Sequence, residues 1–395
     1  MQKISITLVL FFIVLFTQAQ ELPKPLVKTK IQTDFNLVFI PVELQSKTQY
    51  LIMDTGAGFS VIDDAMAEQF GFEVKNKQVY DAPGGKVNVG QIDSLSFKID
   101  NFSVLLPQTA AANLREGGFN DYIGRECLGI LGHDFISQYT IKIDYQNQLL
   151  EIYDTATFVY DGKGQELKTT IISAGSPIVE GNLFSGNKSI QGKWLMDTGS
   201  TMSIGLRKGF VTENNIQNDV EILESIAVGF GGSSEGKVLG IKGFEMAGIK
   251  MNELVSGYSE DEEANNFDDD GVIGGQILKN FTFIIDYKNN RFILEQPKKK
   301  VKISHDRSGL MLAARGETFD NFEVLHVFKN SPAQKAGIQK GDFIVKINSK
   351  SSADYSLGNL WKQLQHSKNK TFQFEIERGG STIYKQLRLK DYVPF

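Results

Sequence analysis

The fold of this chain is decided by a short stretch that occurs twice: Tyr-Leu-Ile-Met-Asp-Thr-Gly-Ala at residues 50–57 and Trp-Leu-Met-Asp-Thr-Gly-Ser at residues 194–200. In both copies an apolar run leads directly into Asp-Thr-Gly. A single Asp-Thr-Gly is typical of an ordinary turn, in which the Asp bonds nearby backbone and the Gly supplies a positive φ. Two copies in matching contexts favour a duplication instead.

The duplication extends well beyond these tripeptides. Gly-Ile-Leu-Gly at residues 129–132 corresponds to Gly-Val-Ile-Gly at 271–274, and residues 135–145 correspond to 277–287. Equivalent glycines are 271 − 129 = 142 positions apart, and the aspartates of the tripeptides are 197 − 54 = 143 positions apart. A repeat with matched internal spacing indicates two homologous lobes.

Asp54 and Asp197 are the candidate catalytic residues. Two carboxyl groups held about 3 Å apart cannot both ionise, so such a pair shares one proton and divides the roles of base and acid. The carboxylate takes a proton from a bound water, while its protonated partner polarises the carbonyl group that the water attacks. We therefore predict hydrolysis with no covalent intermediate, no metal and no cofactor. Asp144 and Asp286 also repeat, but each ends a predicted strand before a hairpin turn, and neither is assigned a catalytic role.

The repeat resembles the pepsin/retropepsin-type aspartic proteases, in which each lobe contributes one Asp-Thr-Gly loop. The resemblance covers about residues 30–296. It implies an all-β, bilobal acid-protease fold of β-barrels, with the active site at a pseudo-twofold axis. We predict a first lobe at residues 30–155 and a second at residues 165–296. Since both loops lie in one chain, dimerisation is not required for catalysis.

The resemblance also implies roles for the other residues of each tripeptide. The hydroxyl groups of Thr55 and Thr198 would bond to the opposite loop and hold the two loops together. Gly56 and Gly199 would let backbone amides approach the carboxylates, where a Cβ atom would clash. In this family an apolar-apolar-Gly segment threads behind each loop, and residues 130–132 and 272–274 match that pattern.

The two loops differ at the next position, where Ala57 follows one tripeptide and Ser200 the other. A Ser200 hydroxyl bonded to the outer oxygen of Asp197 would favour ionisation and lower the pKa of that carboxyl, and Asp54 lacks such a donor. From this asymmetry we expect activity at mildly acidic to neutral pH.

Flaps are a second requirement, because a water-activating pair needs a lid that excludes bulk water and grips the substrate. Gly-rich segments lie at the corresponding places of the two lobes, at residues 79–85 and 229–232. Two such flaps resemble the retropepsin arrangement more than the single flap of pepsin. A plain surface turn is the alternative for the segment around Tyr80. The flap candidates are Tyr80, Gly84, Gly85, Gly231 and Gly232.

The chain changes character after Lys298-Lys299-Lys300. Ser-Pro-Ala at residues 331–333, Ala-Gly at 336–337 and Gly-Asp-Phe-Ile-Val-Lys-Ile-Asn at 341–348 together resemble a PDZ domain of bacterial type. The resemblance covers residues 301–392. It implies a small β-sandwich or barrel with one or two helices.

In PDZ domains a glycine-containing loop donates backbone amides to the C-terminal carboxylate of a peptide, and the peptide adds to the sheet as a strand. The candidate carboxylate-binding residues are Gly309, Leu310 and Met311, with Met311 standing where the family has a second glycine. We expect this domain to recruit protein substrates or to regulate access to the active site. The alternative is a domain that only packs against the lobes.

Residues 1–20 are predicted to be a secretory signal peptide. Lys3 precedes an apolar stretch at residues 6–16, and Thr-Gln-Ala at 17–19 resembles a cleavage site. The apolar stretch is short for a membrane span, and an uncleaved anchor is the alternative. We expect an exported protein, periplasmic or secreted, with no stable membrane span. The single cysteine, Cys127, allows no intramolecular disulfide and is predicted to be buried.

Charge and motif content argue against several other functions. The chain of 395 residues has a net charge of −5 without a basic face, so no nucleic acid is expected as a partner. The acidic stretch at residues 260–270 lacks the spacing of a calcium loop and favours a solvated surface loop. Gly-Ser-Ser-Glu-Gly at residues 232–236 matches the nucleophile elbow of serine hydrolases, but a β-like segment follows it where the elbow needs a helix.

The sequence therefore predicts an exported aspartic endopeptidase with a C-terminal PDZ-like domain. Its expected partners are protein or peptide substrates and a C-terminal peptide ligand of the PDZ-like domain. Two alternatives belong to other classes. One is a non-catalytic peptide-binding envelope protein that keeps the lobes as a scaffold, and the other is a chaperone-like binder that acts mainly through the PDZ-like domain.

Overall fold

A computed structural model describes residues 23–82, 84–172, 175–218, 221–262, 265–297, 301–366 and 368–395. The predicted signal peptide at residues 1–20 lies outside these ranges. Strands dominate the described chain and its helices are short, so the expected β-rich fold is confirmed at this level. No helix within the described ranges is both long enough and apolar enough to cross a membrane.

The strands are β-branched and aromatic runs separated by Gly, Asn and Asp turns, as the composition of such segments favours. In chain order they are β1 (Val27–Lys30), β2 (Val38–Leu44), β3 (Lys47–Met53), β4 (Val61–Asp63), β5 (Lys75–Ala82), β6 (Gly85–Ile99), β7 (Phe102–Ala112), β8 (Gly129–Leu131), β9 (Thr140–Asp144), β10 (Leu149–Tyr153), β11 (Gln165–Leu167), β12 (Thr169–Ile171), β13 (Pro177–Ser185), β14 (Lys188–Met196), β15 (Ile204–Leu206), β16 (Ile222–Gly229), β17 (Gly232–Met246), β18 (Ile249–Ser259), β19 (Gly271–Ile273), β20 (Thr282–Asp286), β21 (Arg291–Glu295), β22 (Leu310–Arg315), β23 (Asn321–Val327), β24 (Phe343–Ile347), β25 (Lys350–Ser351), β26 (Thr371–Arg378) and β27 (Ser381–Arg388).

The helices are one to three turns long. They are α1 (Asp64–Gln69), α2 (Phe119–Ile123), α3 (His133–Ile136), α4 (Lys208–Glu213), α5 (Gly275–Leu278), α6 (Pro332–Lys335) and α7 (Leu357–His366). Single 3₁₀ turns lie at Asp34–Asn36, Ile216–Asn218, Tyr287–Asn289 and Ser352–Asp354.

The sequence repeat is also a repeat of topology. The first lobe is built on a seven-stranded sheet with the order β2-β3-β8-β4-β7-β6-β5, and a further β2–β6 pairing closes it. The second lobe has the order β12-β13-β14-β19-β15-β18-β17-β16, with a further β13–β17 pairing. Apart from β12, the two sheets have the same order strand for strand.

A third sheet joins the lobes. Its six strands run in the order β1-β10-β9-β20-β21-β11, three from each half of the repeat. At its centre β9 pairs antiparallel with β20, with Thr140 opposite Asp286 and Asp144 opposite Thr282. Thr140 and Asp144 are the repeat equivalents of Thr282 and Asp286. The pairing therefore exchanges equivalent residues and defines a pseudo-twofold axis through this sheet.

The residues after 300 form a separate body on a sheet with the order β22-β23-β24-β26-β27, and β25 pairs with β24. Strand β22 lies at an edge of this sheet. The buried core of this body includes Phe322, Phe372 and Phe374, and it continues into first-lobe residues such as Phe39 and Ile52. The body is therefore packed against the first lobe.

Two smaller expectations have different outcomes. Cys127 is buried, as predicted, and burial raises the pKa of its thiol to about 12. The acidic stretch is not simply a solvated loop, because Asp269 is 5% exposed and accepts a hydrogen bond from Arg207 Nε at 2.8 Å. That prediction is wrong for Asp269, since burial of a carboxylate is tolerated when a guanidinium pairs with it.

Candidate active site

The two Asp-Thr-Gly loops begin where β3 and β14 end. Each of these strands pairs in parallel with a short buried strand, β8 in the first lobe and β19 in the second. The amide of Asp54 donates to Leu131 O at 3.0 Å, and the amide of Asp197 donates to Ile273 O at 3.0 Å. The apolar-apolar-Gly segments thus hold both aspartates at the ends of their strands.

Four hydrogen bonds lock the loops to each other across the lobes. The Thr55 hydroxyl donates to Met196 O at 2.5 Å and accepts from the Thr198 amide at 3.1 Å. The Thr198 hydroxyl donates to Met53 O at 2.7 Å and accepts from the Thr55 amide at 3.1 Å. Both threonines are at most 1% exposed. Because water does not compete for these groups, the bonds constrain both loops.

The two carboxyl groups interact with each other, but their backbone partners differ. Asp54 Oδ1 accepts from the amides of Gly56 at 2.8 Å and Ala57 at 3.1 Å. Asp197 Oδ1 accepts from the Gly199 amide at 2.7 Å. Amide donors stabilise the ionised form of a carboxyl group. Asp54 is therefore the better stabilised carboxylate, and the higher pKa belongs to Asp197.

The pKa values of both groups follow from this asymmetry. Burial raises the pKa of Asp54 above its ordinary value of 3.8, and the bond with Asp197 and the two amides oppose that shift. Burial raises the pKa of Asp197 well above 3.8, and the charge of Asp54 and their shared hydrogen bond raise it further. Singly protonated, the pair is one base next to one acid.

The raised pKa of Asp197 predicts a measurable pH dependence of stability. The stabilisation that this group contributes is fully present below its unfolded-state pKa. It is lost as pH rises through its folded-state pKa. Over that range unfolding of the wild type becomes easier by up to about 1.4 kcal/mol per pH unit for each proton. The Asp197→Asn variant cannot lose this proton. We expect the variant to gain stability relative to the wild type from acidic to mildly alkaline pH.

Urea unfolding of both proteins over that pH range measures the difference directly. Asp63→Asn provides a second buried carboxyl group for comparison, because burial also raises the pKa of Asp63. Asp63 lies away from the pair and caps α1 by accepting from Met66 N at 2.9 Å. A difference between the wild type and Asp197→Asn that stays constant with pH would contradict the assignment of the proton.

The two carboxyl groups differ in their hydrogen-bond donors, as expected, but the difference does not come from Ser200. The Ser200 hydroxyl accepts from the Met202 amide at 3.4 Å and is not among the groups that lower the pKa of Asp197. The extra donor belongs instead to the first loop, where the Ala57 amide reaches Asp54. The predicted hydroxyl contact is therefore wrong, because the side chain turns back to its own loop.

The glycines of the tripeptides face the opposite carboxyl groups. A Cβ atom on Gly56 would lie 2.9 Å from Asp197 Cγ, and one on Gly199 would overlap the carboxyl group of Asp54. This spacing is closer than real Cβ atoms approach other heavy atoms. The glycines therefore permit the close approach of the two loops.

A cleft of about 970 Å³ opens above the pair. Its lining is largely apolar and is drawn from the first lobe, from both aspartates, from the flap segments and from the acidic stretch of the second lobe. Tyr80 lines this cleft and is half-exposed. The side chains that line it include Phe59, Val61, Val87, Val89, Ala110, Ile130, Phe230 and Phe267.

The two Gly-rich segments meet above the cleft. They are the tips of the β5–β6 and β16–β17 hairpins. A Cβ atom on Gly85 would lie 2.8 Å from Gly231 O, and one on Gly84 would overlap Gly232. All four glycines named as flap candidates therefore lie in one tip-to-tip contact.

Sequence reasoning missed two residues that shape this contact. Asp261 Oδ2 accepts from the Gly84 amide at 2.7 Å and so ties the acidic stretch of the second lobe to the flap of the first. Phe230, between the flap glycines, lines the cleft. An aromatic residue inside a Gly-rich hairpin tip was the available signal for Phe230. No local signal points to Asp261, because its partner lies 177 positions away.

The rival nucleophile elbow is a strand in the structure. Residues 232–236 begin β17 and pair with β16, with Gly236 opposite Ser225. A nucleophile elbow needs a sharp strand-to-helix turn. This segment therefore does not form one.

In the C-terminal body, Gly309 has a left-handed backbone with φ of 77°, and a Cβ atom there would overlap Ser331. Its amide donates to Asp306 Oδ2 at 2.6 Å. The Leu310 side chain is buried in the core of this body, and Met311 Sδ lies 3.8 Å from the Ser225 hydroxyl of the second lobe. Of the predicted carboxylate-binding residues, Leu310 therefore packs in the core of the C-terminal body, and Met311 lies against the second lobe.

Comparison with known families identifies the family of the C-terminal body. Residues 298–389 match the family described as PDZ domain. The C-terminal part of the chain is a PDZ domain. Neither Asp-Thr-Gly loop lies in the matched region, and no curated protein matches the chain.

The PDZ domain is a protein-interaction or regulatory module, and PDZ domains bind peptides. Peptides add to such a domain at an exposed strand edge. In this chain the edge strand preceded by the Gly309 loop is β22. The PDZ domain also contacts the second lobe, where His326 Nε2 lies 3.0 Å from Glu224 O in β16. It is therefore in contact with both lobes.

Proposed function

We propose that the two lobes form an aspartic endopeptidase, in which Asp54 and Asp197 activate a water molecule to hydrolyse peptide bonds. One observation carries the proposal: two carboxyl groups, one from each lobe, meet at the floor of a cleft, and the glycine of each loop lies against the opposite carboxyl group. Structural proteins rarely keep two carboxyl groups in such contact, since the pair costs stability whenever both ionise. The pepsin/retropepsin resemblance supports the same conclusion.

The different surroundings of the two carboxyl groups support distinct roles. Asp54, with two amide donors, is the base that takes a proton from the attacking water. Asp197, which holds the shared proton, donates it to the carbonyl oxygen of the substrate. The hydroxide adds to the carbonyl carbon, and the resulting tetrahedral species collapses as a proton passes to the amide nitrogen. The chain needs no metal or cofactor for these steps.

The active pH range follows from the same pair. Activity is lost on the acidic side when Asp54 takes up a proton and on the alkaline side when Asp197 loses one. Burial raises both pKa values above the ordinary 3.8. We therefore expect the optimum at mildly acidic to neutral pH, as the sequence also predicts, although burial rather than the missing hydroxyl at Ala57 is the cause.

The flaps and the cleft support a polypeptide substrate. An extended peptide crossing the cleft would lie between the pair below and the glycine tips above, and backbone groups at those tips can pair with substrate backbone. Because the tips touch, they must separate to admit a substrate and close again to exclude water. Apolar lining favours apolar side chains near the cleaved bond.

Two further parts of the proposal concern location and recruitment. We infer that residues 1–20 direct export to the periplasm or beyond, where polypeptide substrates occur. The PDZ domain would recruit substrates or regulate access to the cleft.

The deciding experiment is digestion of a complex peptide mixture by the chain without residues 1–20, analysed by mass spectrometry from acidic to neutral pH. The Asp54→Asn/Asp197→Asn double variant is the control. Cleavage by the wild type alone supports the protease and reports its side-chain preferences. If neither protein cleaves at any pH, the proposal fails, and the non-catalytic peptide-binding or chaperone-like function takes its place.

The close approach at Gly199 gives a sharper prediction. In Gly199→Ala the new Cβ atom overlaps Asp54 and must push the carboxyl groups apart. We expect kcat to fall by about 10²-fold, which is the scale of effect that a displacement of about 1 Å can have. Gly209→Ala is the matched control, because nothing lies within 4 Å of a Cβ atom there. Equal activity of the two variants would contradict the assigned geometry.

A further inference from the structure

The groove beside the edge strand of the PDZ domain is covered by the first lobe. The edge of β22 that pairs with no other described strand and the helix α7 form an apolar groove lined by Leu310, Leu312, Leu357, Trp361 and Leu364. Phe35 and Tyr122 of the first lobe complete the lining of this groove. Helix α2, which carries Tyr122, packs along β22. A peptide therefore cannot add to β22 in this arrangement.

Phe35 is the centre of this contact. It is 3% exposed, and its ring centroid lies 5.1 Å from that of Trp361 and 6.1 Å from that of Tyr122. Beside it, Lys362 Nζ donates to Asp34 Oδ1 at 2.8 Å. An aromatic ring with a flanking ion pair therefore occupies the place that a bound peptide would take.

Polar contacts fasten the other end of the groove to the first lobe. Arg315, the last residue of β22, forms an ion pair with Asp121 of α2. Arg115 Nη2 donates to Gly316 O at 2.6 Å. Charge-assisted bonds of this kind are stronger than neutral ones. The contact is therefore held by ion pairs at both ends of an apolar centre.

The segment that carries Phe35 is held in a costly conformation. Phe35 and Asn36 have φ values of 52° and 67°, in the left-handed region that non-glycine residues rarely adopt. Contacts with the second lobe stabilise it, since Asn36 Nδ2 donates to Thr201 O at 2.8 Å and Lys279 Nζ donates to Asn36 Oδ1 at 2.9 Å. Strained backbone persists where surrounding contacts hold it, and such sites are often functional.

The carboxylate-binding loop of the domain is satisfied internally as well. The Asp306 carboxylate accepts from the Ser308 amide at 3.2 Å and from the Gly309 amide at 2.6 Å. The Leu310 amide donates to the Ser308 hydroxyl at 3.1 Å. The carboxylate at the loop is Asp306 of the PDZ domain itself, and the aromatic ring in the groove is Phe35 of the first lobe. A peptide that ends in Phe carries both kinds of group. Both are supplied by the chain itself.

We propose that the first lobe holds the PDZ groove closed, and that the ligand of this groove is a peptide with a free C-terminal carboxylate on a terminal Phe. Such a peptide binds only when Phe35 withdraws, α2 moves off the edge of β22 and the peptide carboxylate replaces that of Asp306 at the Gly309 amide. The ligand and the first lobe thus compete for one site. This inference goes beyond the proposed function and does not depend on hydrolysis.

The test is a binding measurement on the full chain with Asp197→Asn present in every protein, so that the probe is not cleaved. The probe is a fluorescein-labelled octapeptide that ends in Ala-Phe with a free carboxylate. Binding through a rarely populated open state weakens the apparent affinity in proportion to that population. We expect Phe35→Ala to bind the probe at least about tenfold more tightly than the parent. The same peptide with a C-terminal amide should bind neither protein.

Two further variants guard against trivial outcomes. Asp34→Lys places a cation beside Lys362 and opens the contact without altering the groove, so its affinity should also rise. Phe102→Ala removes a ring that packs on Tyr139 in the other core, and its affinity should equal that of the parent. Equal probe affinity in the parent, Phe35→Ala and Asp34→Lys would overturn the proposal, as would equal binding of the amidated peptide.

Discussion

Replacement of Asp197 by Asn is expected to lower kcat/KM for peptide hydrolysis by about 10³-fold or more, and Asp54→Asn should have an effect of the same size. An amide at position 197 cannot donate the shared proton as an acid. An amide at position 54 cannot accept a proton from water. Because the pair acts as a unit, the double variant should be little worse than either single variant. Initial rates with a quenched peptide substrate measure all three.

Asp144→Asn is the matched control for these variants. Asp144 belongs to the same repeat but closes a hairpin turn, where its Oδ1 accepts from the Asn147 amide at 2.9 Å. Its replacement should leave kcat/KM within about twofold of the wild type and cost only a fraction of the stability, as surface substitutions usually do. Hydrolysis by Asp54→Asn or Asp197→Asn within tenfold of the wild type would rule out the assigned pair.

The second large effect is expected at Thr198. Thr198→Val preserves the shape of the side chain but removes the hydroxyl, which leaves the Met53 carbonyl and the Thr55 amide without that partner in a buried site. Loss of partners at two buried backbone groups should destabilise the protein by about 2–4 kcal/mol. The opposite loop then loses its constraint, so kcat should also fall. Urea denaturation and steady-state kinetics report the two effects separately.

Thr198→Ser separates the hydroxyl from the rest of the side chain. It keeps both hydrogen bonds and loses only a methyl group, so it should retain most of the stability and activity. If Val and Ser at position 198 had equal effects, the methyl group rather than the network would be the source of the loss. The argument for interlocked loops would then be wrong.

Much of the site was predictable because it is encoded by short segments. The 142-residue and 143-residue spacings identified two equivalent lobes, and the apolar run before each Asp-Thr-Gly identified the end of a strand. The PDZ domain was predicted from its Ser-Pro-Ala and Gly-Asp motifs and is confirmed by the family match at residues 298–389. These features depend on local chemistry, which adjacent residues carry.

Contacts between distant segments were not predictable in the same way. Asp269 was expected in a solvated loop, yet it is buried against Arg207, 62 positions away. The hydroxyl of Ser200 was expected on Asp197, yet it accepts from Met202 within its own loop. Nothing in the local pattern around Phe35 indicates that its ring enters the groove of a domain that begins more than 250 residues later.

The sequence alone determined that the chain has two equivalent lobes, where their paired aspartates lie and that a PDZ domain follows. It could do so because repeats and turn motifs are properties of contiguous residues. Only the tertiary structure decided which carboxyl group has the more strongly raised pKa, since that depends on whether one or two amides reach each aspartate. It also decided that the PDZ groove is closed. Burial and charge at these sites arise when segments distant in sequence pack together, and no local pattern records that packing.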